Sequence, residues 1–287
     1  MERLESIVVG LDFSECSRVA LIQALRVAGW SGATARAVHV VAATADEMGE
    51  TAREYRSGLV EDAKKQWRAL VEDMPDARGI EFDVGVASRL AGIRQALERH
   101  QADLLVIGAY GEGKANVGLG TLASACIRSV ATDVMVVRES GRRRFETIVV
   151  VIDFSDASRY ALEAAALVAT GERARLHAVH VEPSRVETFA HLRSDLAPRL
   201  ELFVQATTST YPELEVSSRI FLHTGHRSGV LEFADQVHAD LVVVGTRGHT
   251  NLRDVALGST AEKVLRDSVC AVWAAKPPLL GAGALQS

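Results

Sequence analysis

The chain alternates between short, wholly apolar runs and longer stretches in which apolar positions recur every three or four residues. In the first half the runs are 6–11, 34–42, 80–86, 103–108 and 133–138, rich in Val, Ile and Leu. They lack polar alternation, as strands buried on both faces require. Between them, Val19, Ile22, Leu25 or Arg26, and Val27 fall at helical spacing within 16–30. Tyr55, Leu59, Ala63, Trp67, Leu70 and Met74 form a second stripe. Ile93, Ala96 and Leu97 mark a third helix, and Leu122, Ala125, Cys126 and Ile127 a fourth. Strands alternating with helices predict right-handed crossovers and a parallel, doubly wound α/β sheet.

The pattern is written twice. Ser6-Ile-Val-Val-Gly-Leu-Asp12-Phe-Ser14 returns as Thr147-Ile-Val-Val-Val-Ile-Asp153-Phe-Ser155, and Ala37-Val-His39-Val40 as Ala178-Val-His180-Val181. Ala102-Asp-Leu-Leu-Val-Ile-Gly108 returns as Ala239-Asp-Leu-Val-Val-Val-Gly245. The offset is 141 residues at the first two blocks and 137 at the third. A period that long suits a complete domain rather than a solenoid unit. The expected organisation is domain 1 over 1–140, domain 2 over 146–277 and a tail over 278–287. Each domain is expected to be a Rossmann-like, five-stranded parallel sheet with helices on both faces. Pro198 is expected to start or kink the second helix of domain 2 rather than sit in its middle.

Composition narrows the function. With 48% hydrophobic and 24% charged residues the chain can fill a core, which sets aside disorder, collagen and coiled coil. A formal net charge of −5 argues against a broad nucleic-acid surface. No apolar run reaches the roughly 18–20 residues that cross a bilayer. The first residues are charged and lead straight into a strand, so the cytoplasm is the expected location. Cys16, Cys126 and Cys270 are odd in number and far apart, as reduced packed thiols would be.

In doubly wound sheets ligands sit at the carboxyl ends of strands, where the winding reverses. After the fourth strand of the second half stands Gly245-Thr-Arg-Gly248, and nine residues later Gly258-Ser259-Thr260, a G-x2-G-x9-G-S pattern. Glycines let backbone approach a ligand closely, and a helix starting after Gly258 would aim unpaired N–H groups at an anion. Ser259 and Thr260 either add donors or cap that helix. Asp153, which ends the first strand of that half, either meets the ligand or caps the next turn.

The Asp-Phe-Ser-(Glu/Asp) segment, the His-Val strand and the G-x2-G-x9-G-S loop together resemble the universal stress protein family. The duplication resembles its tandem two-domain members. The resemblance implies an adenine-nucleotide hydrolase-like fold and an ATP-binding stress-response regulator, with or without Mg. It places the glycine loop around phosphates and ribose, the Asp by the adenosine, and a backbone group of strand two at the adenine. Carried onto this sequence, the domain 2 site is Asp153, Val181, Gly245, Gly248, Gly258, Ser259 and Thr260. In domain 1 the counterparts Asp12, Val40, Gly108, Gly111, Gly120 and Thr121 form a degenerate copy. Only eight residues separate Gly111 from Gly120, and Glu112 puts an acid beside a phosphate. A one-residue deletion displaces later backbone by up to about 3.8 Å. Domain 1 is therefore expected to bind weakly or not at all, unless Gly113 and Gly118 absorb the slip. The resemblance also implies that strands 133–138 and 271–275 pair inside the chain, although Asp133 and Ala271 stand where relatives often carry Pro.

No catalytic or metal-ligating group is assigned. Gly108-x4-Gly113-Lys114 nearly spells a P-loop, but Ala115 replaces the required Ser or Thr. His39 and His180 fit packed, satisfied histidines. His223 and His226 lack a third ligand. Arg247 and His249 either neutralise phosphate or stay solvated. Two alternatives remain beside the regulator: a slow ATPase or autophosphorylating enzyme on the same site, and a nucleotide-free scaffold for an unknown protein partner. A further homodimer stays open.

Overall fold

The computed structural model describes residues 4–42, 53–111, 118–182, 189–246 and 257–277. The first half runs β1 (Ser6–Leu11), α1 (Glu15–Ser31), β2 (Thr34–Ala42), α2 (Arg53–Asp73), β3 (Glu81–Ala87), α3 (Arg89–Arg99), β4 (Leu104–Gly108), α4 (Thr121–Ser129) and β5 (Asp133–Val137). The second repeats it as β6 (Thr147–Val151), α5 (Asp156–Glu172), β7 (Arg175–Glu182), α6 (Phe189–Thr208), β8 (Val216–Leu222), α7 (His226–Gln236), β9 (Leu241–Gly245), α8 (Ser259–Asp267) and β10 (Ala271–Ala275). Among the described residues no helix is long and apolar enough to cross a membrane.

Within each half the strands are parallel, in the order β3-β2-β1-β4-β5 and its mirror β10-β9-β6-β7-β8. The winding reverses between β1 and β4, and again between β6 and β9. Alternate strand residues serve opposite faces. Ile7, Val9 and Leu11 join one core with α1, α5, Leu70 of α2 and Leu200 and Val204 of α6, whereas Val8 joins the other with α3, α4, α7 and α8. Both cores run through both halves.

The halves are fused by β5 and β10, which pair antiparallel with Val136 opposite Val272 and Val134 opposite Ala274. One ten-stranded sheet results. Asp133, at the start of β5, is buried and accepts from Trp273 Nε1 at 2.8 Å and from the Lys276 backbone N–H at 2.7 Å. Burial pushes its carboxyl up to about 7. Two cations cross the seam in opposite directions. Arg138 donates to the Leu265 and Arg266 carbonyls at the end of α8 (3.0 and 3.3 Å), and Lys276 Nζ to the Val130 carbonyl at the end of α4 (2.6 Å). Each half thus places a positive charge at the negative end of a helix of the other.

One expectation is corrected. Helix α6 runs through Pro198 at its centre. The ring removes one backbone hydrogen bond, but Leu200 and Val204 are buried in the core beyond it, and that packing overrides the local penalty.

Candidate functional site

The Asp-Phe-Ser segment is a compact turn in both halves. Asp153 Oδ1 accepts from the Ser155 N–H (3.0 Å) and hydroxyl, and Ser155 Oγ caps α5 by accepting from the Ser158 N–H at 3.1 Å. Asp12, Ser14 and Ser17 repeat the arrangement. Phe13 and Phe154, between acid and cap, take φ of +63° and +64°. A bulky residue in the left-handed region is strained and needs its surroundings to hold it. The phenyl rings lie 5.0 Å from His39 and His180 respectively. Those imidazoles donate Nδ1–H to the Leu11 and Ile152 carbonyls, both at 2.8 Å. The histidines are thus packed and satisfied at Nδ1, and His180 Nε2 lies 3.3 Å from Glu182.

At the switch point of domain 2 lies a cavity of about 230 Å³. That is well over ten times the space one buried water needs. It draws together Asp153 after β6, Val181 on β7, Gly245 at the end of β9, and Gly258, Ser259 and Thr260 at the start of α8. Six of the seven expected residues therefore meet; Gly248, with Arg247 and His249, lies outside the described residues. Gly245 is pressed on α5, where a Cβ would sit 2.8 Å from the Ala157 carbonyl carbon. Ser259 does not cap its helix: Gly258 is the N-cap, and no side chain caps it. The first-turn N–H groups of α8 thus open on the cavity rim without a side-chain acceptor among the described residues. Val151, Val230 and Val244 make the apolar floor.

Two contributors escaped the sequence reading. Gly229 of α7 packs on Val181 (a Cβ would be 2.7 Å from Val181 Cγ1), as Gly92 of α3 packs on Val40 at 2.6 Å. Both glycines recur at the 137-residue offset, a signal the sequence did carry. His226 was considered only as a metal ligand; its Nδ1 instead lies 2.8 Å from the Val181 carbonyl oxygen. Among the described residues no group of three or more metal-binding side chains occurs.

The domain 1 counterparts hold the same positions with different surroundings. The deletion does not displace the helix start. Gly120 N–H donates to the Ala109 carbonyl at 2.7 Å, as Gly258 N–H does to the Thr246 carbonyl at 2.9 Å. Two residues before Gly120, Gly118 adopts φ +84°. Glu112 and Gly113 lie outside the described residues. Gly108 packs on Cys16, and Thr121 is exposed at the start of α4. Gly111 sits so close to Asp12 that a Cβ there would be 2.4 Å from Asp12 Oδ2. Tyr110 beside it is buried and hydrogen-bonded to Cys16, and burial pushes its hydroxyl up to about 12.

Comparison with known proteins agrees on the fold. The sequence model of the universal stress protein family matches twice, over residues 4–138 and 144–276. A universal stress protein of Methanocaldococcus jannaschii is 30% identical over 149 residues, covering 48% of this chain and 86% of that protein. Universal stress protein A homolog 1 of Coxiella burnetii is 33% identical over 140 residues, covering 45% and 96%. A crystal structure of a universal stress protein from Archaeoglobus fulgidus superposes with a TM-score of 0.70 at 22% identity, covering 94% of this chain and 98% of that one.

Proposed function

The chain is a tandem two-domain member of the universal stress protein family, and from that premise we propose that it is an ATP-binding regulator of the stress response. Its nucleotide is held in domain 2 (146–277), with domain 1 (1–140) binding weakly or not at all. One observation carries the reading: residues from four separate chain segments, carried over from the family resemblance, line one cavity at the sheet's switch point. The donor set suits the ligand. The uncapped start of α8, with Ser259 and Thr260, offers N–H and O–H groups to phosphates. Asp153 stands on the cavity wall, where a carboxylate suits ribose hydroxyls. The apolar floor of Val151, Val230 and Val244 suits a flat base.

A bound nucleotide would supply the negative charge that the rim is built to receive. Any Mg would come held by the phosphates and water, since Asp153 is the one carboxylate among the described lining residues. Both lining imidazoles have Nδ1 committed to a backbone carbonyl, an arrangement suited to holding a ligand. Occupancy is read by a protein partner through the surface around α8, in the cytoplasm. Mass spectrometry of the small molecules released when the purified protein is denatured should find ATP, intact over hours. Calorimetric titration of the nucleotide-free chain should give one site. No binding of ATP, ADP or AMP at millimolar concentration overturns the proposal; steady formation of ADP replaces it with the enzyme.

A further inference from the structure

Among the described residues that line the cavity, the imidazole of His226 is given no part in holding phosphate or ribose. Strand β6 gives out at Val151, its last contact being the Ile152 N–H to the Val179 carbonyl at 2.8 Å. In a parallel sheet alternate residues bond to opposite neighbours, so Val181 points its carbonyl to the side where β6 has ended. His226 satisfies that carbonyl from Nδ1 at 2.8 Å. A carbonyl only accepts, so Nδ1 carries the proton, and in the neutral ring Nε2 is a bare lone pair. The ring is held in place. It opens α7, which Gly229 brings down onto Val181, and among the described residues nothing bonds to Nε2. Val181, the residue expected at the base, has thus passed its acceptor role outward to a side chain.

We infer that His226 is the base-reading residue of this site: Nε2 accepts a hydrogen from the 6-amino group of a purine and so selects 6-amino over 6-oxo purines. The inference rests on the nucleotide reading above. A 6-oxo purine would set its oxygen lone pairs against that of Nε2, replacing an attractive contact with a repulsive one, and sites built on a hydrogen bond discriminate against such analogues. In domain 1 the matching position is Arg89, a side chain with donors only.

The test is calorimetric titration of the full chain with adenosine triphosphate and inosine triphosphate, which differ at position 6, an amino group against a carbonyl, and at the adjoining N1, bare in the first and protonated in the second. The wild type should bind the adenosine compound about tenfold or more tightly. His226→Arg should level or invert the ratio, whereas His226→Gln, which can donate to Val181 and still accept, should keep it. Equal, tight binding of both nucleotides by the wild type overturns the inference and leaves the proposed function standing, as does an unchanged ratio in His226→Arg. Binding of neither overturns both. Nitrogen-15 spectra of the wild-type imidazole need no variant. Nδ1 should be protonated and Nε2 bare, with Nε2 shifting when the adenosine compound is added; a proton on Nε2 overturns the inference.

Discussion

Domain 1 and domain 2 share a backbone and differ in what fills the crevice between their first and fourth strands. Domain 2 lines it with three valines, Val151, Val230 and Val244. Domain 1 has Gly10, Ile93 and Ile107 at the same places, and a Cβ on Gly10 would lie 2.9 Å from Ile107 Cγ2 and 3.5 Å from Ile93 Cδ1. What one wall lost the others gained, so the sheet stays filled. At the rim nothing compensates: His226 and Thr260 have Arg89 and Leu122 as their counterparts in the other copy. Packing constrains the sum of volumes in a core. It leaves the chemistry of the rim free to diverge.

The sharpest break of the comparison lies in the glycine turns. A Cβ at Gly258 would meet only the Thr246 carbonyl oxygen, at 3.5 Å, so Gly258→Ala should be tolerated. Gly258→Asp, by contrast, puts a negative charge into the proposed phosphate site and should weaken ATP binding by about a hundredfold or more, roughly 2.7 kcal/mol. Gly120→Asp should leave the calorimetric stoichiometry unchanged. Equal loss from both Asp variants would mean the halves are equivalent.

The seam holds the next largest effect, because Asp133 has Ala271 as its counterpart. Its folded carboxyl, raised to about 7 from an ordinary 3.8, keeps a proton over a range in which the unfolded chain has released it. Stability should therefore fall as pH rises from about 4 to about 7, by an amount on the order of a few kcal/mol, and flatten above. Asp133→Asn should lack that slope in denaturant titrations across the range; parallel pH profiles would show that the group does not titrate there.

In the crevice, Gly10→Val should destabilise by about 1–3 kcal/mol through overpacking. Adding Ile107→Val should recover most of it, which a double-mutant cycle in urea would measure. The smallest effect should be symmetric. Ser14→Ala and Ser155→Ala each remove a helix cap and should cost about 1 kcal/mol, in matching amounts by thermal melting.

Strands and most helices were legible because their periodicity is local: the run at 6–11 is β1, and that at 34–42 is β2. The places of the candidate residues were legible wherever a motif fixed them to a strand end or helix start, as at Asp153 and Gly258. What stayed hidden depends on distant partners. His226 meets Val181 across 45 residues, and Asp133 meets Trp273 across 140. Pro198 misled for the same reason, since the helix it interrupts is held by Leu200 and Val204 against a core assembled from elsewhere. Asp153 takes the turn role through Oδ1 and also lies on the cavity wall.

The antiparallel join of β5 to β10 has a genetic corollary. Were the same surfaces brought together from separate, identical copies, every codon change would be felt twice, and assembly would follow concentration. Linked in one polypeptide, each copy meets its mate at a fixed ratio and inherits its alterations alone. One can specialise while the other survives as its permanent scaffold.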